Sequence, residues 1–303
     1  MTQAMTLPAV GFIGLGIMGG AMAARIAAAG HPLHVYNRSR AKADALVAAG
    51  ARWHDTPAAL AREADIVITI VGTPDDVRAL YDGEAGLIAN AREGAVLIDM
   101  TTSSPALAVE LAARANAHGI ALLDAPVSGG DVGAREGRLS IMIGGDAAAL
   151  ERAMPVLRCV GTQIVRQGGP GAGQHTKLCN QIVIASTMLG VCEGLAYAQR
   201  AGLDAPTVLG AIGGGAAGGF LLNNLGPKIA RGDYAPGFLV EHFLKDMRIA
   251  SEETAAMGDE LPALELARKR YRELADAGYA RSGTQALFAL YDEATRRDAE
   301  AAE

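Results

Sequence analysis

One lysine of this chain lies at the start of a predicted apolar helix, a position that suits a residue that donates and accepts protons. Lys177 lies just past the glycine-rich segment 168–173, near the start of a long apolar stretch, with Asn180 and Gln181 at i+3 and i+4 of a predicted helix. An amine at such a junction loses solvation, which lowers its pKa from about 10.4 towards the working pH. Lys177 is therefore a candidate proton donor to a carbonyl oxygen, and the two amides would orient a substrate or hold the lysine. The alternative is a lysine that only solvates a helix end.

A hydroxyl followed by two glycines predicts an anion site. Ser128, Gly129 and Gly130 come shortly after a buried strand pattern. The serine side chain and successive backbone N–H groups can together bind a small anion, and a carboxylate suits such a nest. A simple turn would explain the same residues. These three residues are candidate substrate ligands.

A second glycine pattern predicts a dinucleotide site. Gly14, Gly16 and Gly19 form a GxGxxG motif between a strand pattern and an alanine-rich helix. The first glycine permits the tight turn, the second lets the backbone approach a pyrophosphate, and the third allows close packing of helix on strand. Ile17 and Met18 lie at the helix N-terminus, whose free N–H groups favour phosphate.

The segment after the second strand pattern favours NADP(H) over NAD(H). It reads Asn37, Arg38, Ser39, Arg40 and contains no carboxylate. NAD-specific sites usually carry Asp or Glu here for the ribose 2′-hydroxyl, whereas guanidinium groups bind a 2′-phosphate through charged hydrogen bonds. The alternative is that both arginines merely solvate a loop.

Two further loops and one ion pair are weaker candidates. Val71 and Gly72 lie at the end of one predicted strand and Thr102 lies at the end of the next, so both loops should border the cofactor, although ordinary turns explain them equally well. Lys245 precedes Asp246 and could contact cofactor or substrate, but the residue types alone favour a surface ion pair that contributes little to stability.

The six histidines lack a ligand spacing such as HxxxH, so we expect no metal site.

The elements that must position these residues follow a βαβ rhythm from residue 9 to about 145. Runs that are apolar at consecutive positions are typical of parallel strands covered on both faces, so we predict a doubly wound, Rossmann-like α/β sheet. Two later runs follow without a full helix between each pair, and we expect them to finish the sheet as antiparallel edge strands. The predicted strands are Val10–Ile13, Leu33–Tyr36, Ile66–Val71, Val96–Met100 and Ile120–Asp124, then Leu139–Ile143 and Gln163–Arg166.

The glycine-rich break predicts a domain boundary. We assign 7–169 to an NADP-binding domain and 170–303 to an all-helical substrate and dimerisation domain. The second domain begins with a long helix from Gln174 to about Arg200, which is apolar nearly all round and must be wrapped by other helices or by a second subunit. Further helices are predicted at 206–213, 220–231, 240–257, 262–277 and 283–298.

Composition limits the partners of the protein. With a formal net charge of −6 and 4% aromatic residues, the 303-residue chain lacks the basic excess and the stacking residues of nucleic-acid binders. Three widely spaced cysteines, an odd number, fit a reducing compartment. The first nine residues lack the pattern of a secretory signal, and the apolar stretches are interrupted short of a bilayer span. We therefore expect a cytoplasmic protein that binds no nucleic acid or membrane.

Four motifs, in order along nearly the whole chain, resemble those of the β-hydroxyacid dehydrogenase family. That family includes 3-hydroxyisobutyrate dehydrogenase and tartronate semialdehyde reductase and is related to 6-phosphogluconate dehydrogenase. The resemblance implies the 6-phosphogluconate dehydrogenase-like fold, with a Rossmann-like domain followed by an all-α domain, and homodimers or homotetramers that pack through the helical domain. The motifs are Gly14–Gly19, Asp124–Gly130, Gly171–Gln181 and Lys245–Asp246.

The resemblance also implies roles for individual residues. Lys177 becomes the catalytic residue and Lys245 lies near the nicotinamide. Ser128, Gly129 and Gly130 become ligands of the substrate carboxylate. It further implies that Val71, Gly72 and Thr102 contact the cofactor.

The form of the lysine motif bears on the substrate. The family often has Asn where this chain has Gln181, and the Lys-Leu-x-Asn-Gln form and the stretch 213–219 are similar to tartronate semialdehyde reductases. This favours NADPH-dependent reduction of 2-hydroxy-3-oxopropionate to glycerate, or the reverse oxidation of a β-hydroxyacid. The alternatives are a 3-hydroxyisobutyrate or 4-hydroxybutyrate (succinic semialdehyde) dehydrogenase and, from another class, an NADP-binding sensor module. An imine reductase is less favoured because the lysine is retained.

Overall fold

The structure is a computed structural model that describes residues 7–292. Our expectation about a secretory signal falls largely on residues 1–6, which lie outside this range. The strands are β1 (Val10–Ile13), β2 (Leu33–Tyr36), β3 (Arg52–Trp53), β4 (Ile66–Thr69), β5 (Val96–Asp99), β6 (Ala121–Asp124), β7 (Val127–Ser128), β8 (Leu139–Gly144) and β9 (Gly161–Gly168).

Several helices begin where the sequence provides a cap. Thr56, Thr73 and Ser104 each accept a hydrogen bond from the third residue of the helix, and a proline follows each of them. The helices are α1 (Ile17–Ala28), α2 (Asp44–Ala48), α3 (Pro57–Ala61), α4 (Pro74–Tyr81), α5 (Leu87–Asn90), α6 (Pro105–Asn116), α7 (Gly130–Glu136), α8 (Ala147–Leu157), α9 (Ala172–Arg200), α10 (Ala205–Ile212), α11 (Phe220–Ala230), α12 (Val240–Ala256) and α13 (Pro262–Leu274), with 3₁₀ turns at Arg40–Ala43 and Thr284–Leu290 and a π-helical turn at Ala275–Tyr279.

The predicted doubly wound sheet is confirmed. Strands β3, β2, β1, β4, β5 and β6 lie side by side in that order and run parallel, so the strand order reverses between β1 and β4. Every residue of β1, β4 and β5 is buried, as expected for strands covered on both faces. Tyr36, Ile13, Thr69, Asp99 and Asp124 form one row across the sheet at the carboxyl ends of their strands. The loops after these residues therefore share one edge, where α/β sheets bind ligands.

One strand runs in the direction opposite to our prediction. Strand β8 is antiparallel to β6 and β7, as predicted, but β9 is parallel to β8. The reason is α8, a full helix between β8 and β9, which allows a parallel crossover. Asp146 caps this helix by accepting from Ala149 N, whereas the internal Pro155 obscured its pattern. The two-residue strands β3 and β7 were also not predicted, because they are too short to show alternation.

The second unit is helical, as predicted, and it has its own core. The chain divides into two compact units between Lys177 and Leu178. Met188 and Cys192 of α9 are fully buried in a cluster with Phe243 of α12 and Tyr271 of α13. Most helix ends lie within two residues of the prediction, but two differ by more: α13 ends at Leu274 in a π-helical turn, and the predicted helix 283–298 is a 3₁₀ turn at Thr284–Leu290. Residues 293–298 of that prediction lie outside the described range.

Helix α9 is long and apolar enough, by length and composition, to cross a membrane. Our expectation that every apolar stretch is interrupted short of a bilayer span was therefore wrong for this segment, since its scattered glycines and amides do not break the helix. Of its most apolar window, 44% is buried inside the protein. The core helix of a globular protein meets the same criteria, and the buried Met188 and Cys192 give α9 that position in the second unit.

Candidate active site

The glycine motif forms a backbone cradle after β1. Gly14 has φ +96°, and a Cβ placed on it would lie 2.0 Å from the carbonyl oxygen of Ile70. A Cβ on Gly19 would lie 1.9 Å from the carbonyl oxygen of Gly14, which confirms that α1 packs closely on the turn. Nothing lies within 4 Å of a Cβ placed on Gly16, the residue that precedes α1 and offers no side-chain cap. The cradle therefore leaves open space and free N–H groups where a pyrophosphate would approach.

The residues after β2 shape this cradle. Asn37 Oδ1 accepts a hydrogen bond from Leu15 N at 2.9 Å, and Asn37 Nδ2 donates to Ser39 O at 2.9 Å. The Asn37 side chain thus ties the loop after β2 to the glycine turn. In α1, Ile17 is 60% exposed, whereas Met18 packs partly against the core.

Arg38 lies near a carboxylate that its own segment does not contain. Its guanidinium Nη1 is 3.6 Å from Asp76 Oδ1, and its side chain is 87% exposed. Asp76 is fixed in the capping box of α4, where Oδ2 accepts from the backbone N–H and the hydroxyl of Thr73. A Cβ on Gly72 would lie 2.9 Å from the same Oδ2. A 2′-phosphate would therefore compete with Asp76 for Arg38.

A buried hydrogen-bond chain joins the loops after β4 and β5. Thr101 Oγ1 accepts from Val71 N at 3.0 Å, and Asp99 Oδ1 accepts from Thr101 N and from Thr69 Oγ1. Burial raises the pKa of Asp99 to about 6, although the bonds from Thr101 and Thr69 counteract part of this rise. These hydrogen bonds position the loop that contains Val71 and the backbone that leads to Thr102.

Asp124 holds the first turn of α9 against the strand ends. Its Oδ1 accepts from Gly171 N at 2.8 Å and its Oδ2 from Gln174 N at 2.9 Å. A Cβ on Gly173 would lie 2.4 Å from the Met142 carbonyl oxygen, so only glycine permits this approach. Burial raises the pKa of Asp124, and these backbone N–H groups oppose that rise. The beginning of the lysine-bearing helix is thereby fixed.

Gln174 adds a second clamp to the same turn. Its side chain is fully buried, accepts from Ser103 N at 2.9 Å and donates to Thr101 O at 2.7 Å. Both amide atoms are therefore occupied by the loop after β5. The loop that carries Thr102 and the turn that carries Lys177 are joined through one side chain.

The structure brings Lys177 to the predicted anion nest. The lysine is 7% exposed, and its Nζ donates to the carbonyl oxygen of Val127 at 2.9 Å. Val127 directly precedes Ser128, Gly129 and Gly130, and the two glycines have φ values of +125° and +64°, which favour glycine. The amine and the nest thus lie within one compact unit, next to each other.

Asn180, Gln181 and Lys245 meet around one buried carboxylate in the second unit. Gln181 Nε2 donates to Asp246 Oδ2 at 2.6 Å, and Asn180 Nδ2 donates to Gln181 Oε1 at 2.7 Å. Lys245 Nζ lies 2.9 Å from Asp246 Oδ1, and the two side chains are only 13% and 2% exposed. The expectation of a surface ion pair was therefore wrong. Local spacing did not predict this buried network, because the bond from Gln181 to Asp246 joins two helices that are far apart in sequence.

Several contacts of these networks were not predicted. Asp124 begins the motif Asp124–Gly130, and Gln174 lies in the motif Gly171–Gln181, but neither residue type indicates that its side chain fixes the first turn of α9. The pairing of Asp76 with Arg38 and the bond from Gln181 to Asp246 become visible only when distant segments pack. Residues 7–292 hold no group of three or more His, Cys, Asp or Glu side chains that could bind a metal ion.

Two protein-family models match this chain, one in each half. The family model of the NAD binding domain of 6-phosphogluconate dehydrogenase matches residues 9–169. The model described as the NAD-binding domain of NADP-dependent 3-hydroxyisobutyrate dehydrogenase matches residues 171–291. The chain belongs to the β-hydroxyacid dehydrogenase family. As a member of this family it is an NAD(P)-dependent oxidoreductase that acts on hydroxyacids.

Individual β-hydroxyacid dehydrogenases are similar to this chain along most of their length. A probable 3-hydroxyisobutyrate dehydrogenase-like mitochondrial protein of Arabidopsis thaliana is 46% identical over 92% of this chain and 84% of its own. The 2-hydroxy-3-oxopropionate reductase of Escherichia coli is 39% identical over 84% and 86%. The structure of Mycobacterium tuberculosis 3-hydroxyisobutyrate dehydrogenase with L-serine superimposes with a TM-score of 0.85 at 33% identity, over 93% of this chain and 98% of its own.

Proposed function

We propose that this dehydrogenase uses NADPH to reduce a small carboxylate-bearing aldehyde, with 2-hydroxy-3-oxopropionate as the favoured substrate and glycerate as the product, and that it catalyses the reverse oxidation. Lys177 is its general acid and base. The observation that carries the proposal is the 2.9 Å hydrogen bond from Lys177 Nζ to Val127 O, which holds the amine beside Ser128–Gly130.

Each of the proposed site residues has a separate task in such a reaction. The Ser128 hydroxyl and the N–H groups of Gly129 and Gly130 bind the substrate carboxylate. Lys177 gives a proton to the carbonyl oxygen during reduction and takes it back from the hydroxyl during oxidation. Because Val127 O accepts from the amine, the Nζ is already oriented before the substrate arrives. The nicotinamide, when bound, supplies or accepts the hydride.

The cofactor is held by the cradle after β1. Gly14, Gly16 and Gly19 admit the pyrophosphate, and Ile17 and Met18 stand at the N-terminus of α1. In the proposal, Asn37, Arg38 and Ser39 border the ribose, and Val71, Gly72 and Thr102 border the nicotinamide half. Following the family resemblance, Lys245 lies near the nicotinamide, and Asn180 and Gln181 orient the substrate.

The preference for NADP(H) and the choice of substrate rest on separate supports. Arg38 and Arg40 after β2 favour a 2′-phosphate. The reductase of Escherichia coli supports 2-hydroxy-3-oxopropionate, whereas the Arabidopsis relative supports one of the alternatives, a 3-hydroxyisobutyrate dehydrogenase. A 4-hydroxybutyrate dehydrogenase is the other alternative.

A panel of semialdehydes tests this assignment. The purified protein is assayed with C3 and C4 carboxylate-bearing semialdehydes, each with NADPH and with NADH, and kcat/KM is compared. We expect the highest value for 2-hydroxy-3-oxopropionate with NADPH. A higher value for methylmalonate or succinate semialdehyde would move the assignment to the alternative, and no reduction of any member with either cofactor would overturn the proposal.

We further propose a cytoplasmic homodimer or homotetramer assembled through the helical unit. The free state of Cys159, Cys179 and Cys192 supports a reducing compartment. Large exposed apolar side chains on the helical unit, Val183 and Phe220 at 65% each, support an interface there. Light scattering during gel filtration measures the mass directly, and a monomer of 31.1 kDa at assay concentrations would contradict the oligomer.

A further inference from the structure

Trp53 is the one tryptophan of the chain, and the proposed function so far gives it no role. It lies in the two-residue strand β3, next to β2. Its ring stacks on Tyr36, with centroids 5.9 Å apart and the planes at 26°. Its Nε1 donates to Asp55 Oδ1 at 2.8 Å. The indole is therefore held both at its face and at its edge.

The guanidinium of Arg40 lies over this indole, with Cζ 5.2 Å from the ring centroid. Arg40 begins the 3₁₀ turn after β2, two residues beyond Arg38. The two arginines differ in their surroundings, because Arg38 lies 3.6 Å from the Asp76 carboxylate and Arg40 packs on an aromatic face. A cation on an indole keeps its full charge for an anion, whereas a carboxylate competes with that anion.

We propose that Trp53 is a positioning residue for cofactor choice, which holds Arg40 ready to bind the 2′-phosphate of NADP(H). The carboxyl end of β2 is where the adenosine ribose lies in this fold. A long arginine side chain loses conformational freedom when it binds, and stacking on a fixed ring removes part of that loss beforehand. The inference rests on the proposed preference for NADP(H) and adds to it the residue that makes Arg40 effective.

Binding of two nucleotides that differ by one phosphate tests the inference without any turnover. The probes are adenosine 2′,5′-bisphosphate and adenosine 5′-monophosphate, titrated calorimetrically into the full-length protein. The measured quantity is the ratio of their Kd values, which does not depend on the fraction of protein that is folded. Trp53→Leu removes the aromatic face, Trp53→Phe retains one as the matched control, and Arg40→Ala removes the cation.

We expect the wild type to bind the bisphosphate more tightly, Arg40→Ala to lower the ratio about tenfold, and Trp53→Leu to lower it about two- to fivefold. Trp53→Phe should keep most of the ratio, and Trp53→Leu should have no further effect when Arg40 is already Ala. An unchanged ratio in Trp53→Leu, or an equal loss in the Arg40→Ala background, would overturn the role of Trp53 alone. A wild-type ratio near one would instead remove the NADP(H) preference, and this inference with it.

Discussion

Among single residues, Asp246 determines the direction of the amide chain in the second unit. A carboxylate only accepts hydrogen bonds, so Gln181 must turn its Nε2 towards Asp246 and its Oε1 towards Asn180. Asn180 must then donate from its Nδ2. Asp246 thus determines, through two successive hydrogen bonds, that Asn180 donates from its amide nitrogen.

Asp246→Asn should disturb the direction of these hydrogen bonds while it preserves the shape of the side chain. The new amide can donate as well as accept, so Gln181 loses its single orientation. We expect the KM for the aldehyde to rise about tenfold. Glu252→Gln, an exposed carboxylate on the same helix that pairs with Arg248, is the control. Steady-state kinetics that are equal in the two variants would contradict the role of Asp246.

At the scale of elements, the first turn of α9 is held by Asp124 rather than by a cap of its own. This carboxylate comes from the end of β6, so the strand sets the position of Lys177 through the helix it clamps. The same row of the sheet carries Asp99 and Thr69. The first turn of α9, the helix that carries Lys177, and the loops predicted to contact the cofactor therefore lie at the same edge of the sheet.

Asp124→Ala should lower kcat as well as stability. Two backbone N–H groups lose their acceptor and the first turn of α9 loosens, so we expect kcat to fall at least tenfold, together with a lower Tm. Asp146→Ala is the matched control, since it removes the carboxylate cap of α8 and should cost about 0.5–2 kcal/mol of stability with little change in kcat. Equal kcat per folded molecule in both variants would show that Asp124 is structural only.

How far the sequence predicts these elements depends on the length and regularity of each pattern. Strand β1 and strand β2 were predicted to the residue because four consecutive positions carry the signal. Strands β3 and β7 span two residues and carry none. The glycine turn, Lys177 and Ser128–Gly130 could be proposed as site residues from local spacing, and their roles stay predictions. By contrast, Asp76, Gln174 and Asp246 bond to residues that only the fold brings near.

For the whole molecule, stability should depend on pH through Asp99. Its pKa is raised to about 6 in the folded state from 3.8, so the native protein holds this proton more tightly than the unfolded chain does. The contribution of Asp99 to the free energy of unfolding therefore falls as pH rises from about 4 to about 6, and this contribution is lost completely above that range. The shift sets an upper limit of about 3 kcal/mol.

Asp99→Asn removes this titration and keeps an oxygen that can accept from Thr69 and Thr101. The Tm of the variant relative to wild type should therefore increase between pH 4 and pH 7, whatever constant offset the lost carboxylate adds. Calorimetric melts across that range measure the difference. A difference in Tm that is flat with pH would show that Asp99 titrates alike in the folded and unfolded states.

In the proposed reaction, the amine of Lys177 transfers the proton to and from the substrate oxygen. Lys177→Ala is measured for turnover of 2-hydroxy-3-oxopropionate and, separately, for NADPH affinity by fluorescence titration. Loss of the acid and base should reduce kcat about 10²- to 10⁴-fold, while the Kd for NADPH stays close to wild type because the cradle after β1 is intact. Turnover near the wild-type rate in the Lys177→Ala protein would show that Lys177 is not the general acid and base.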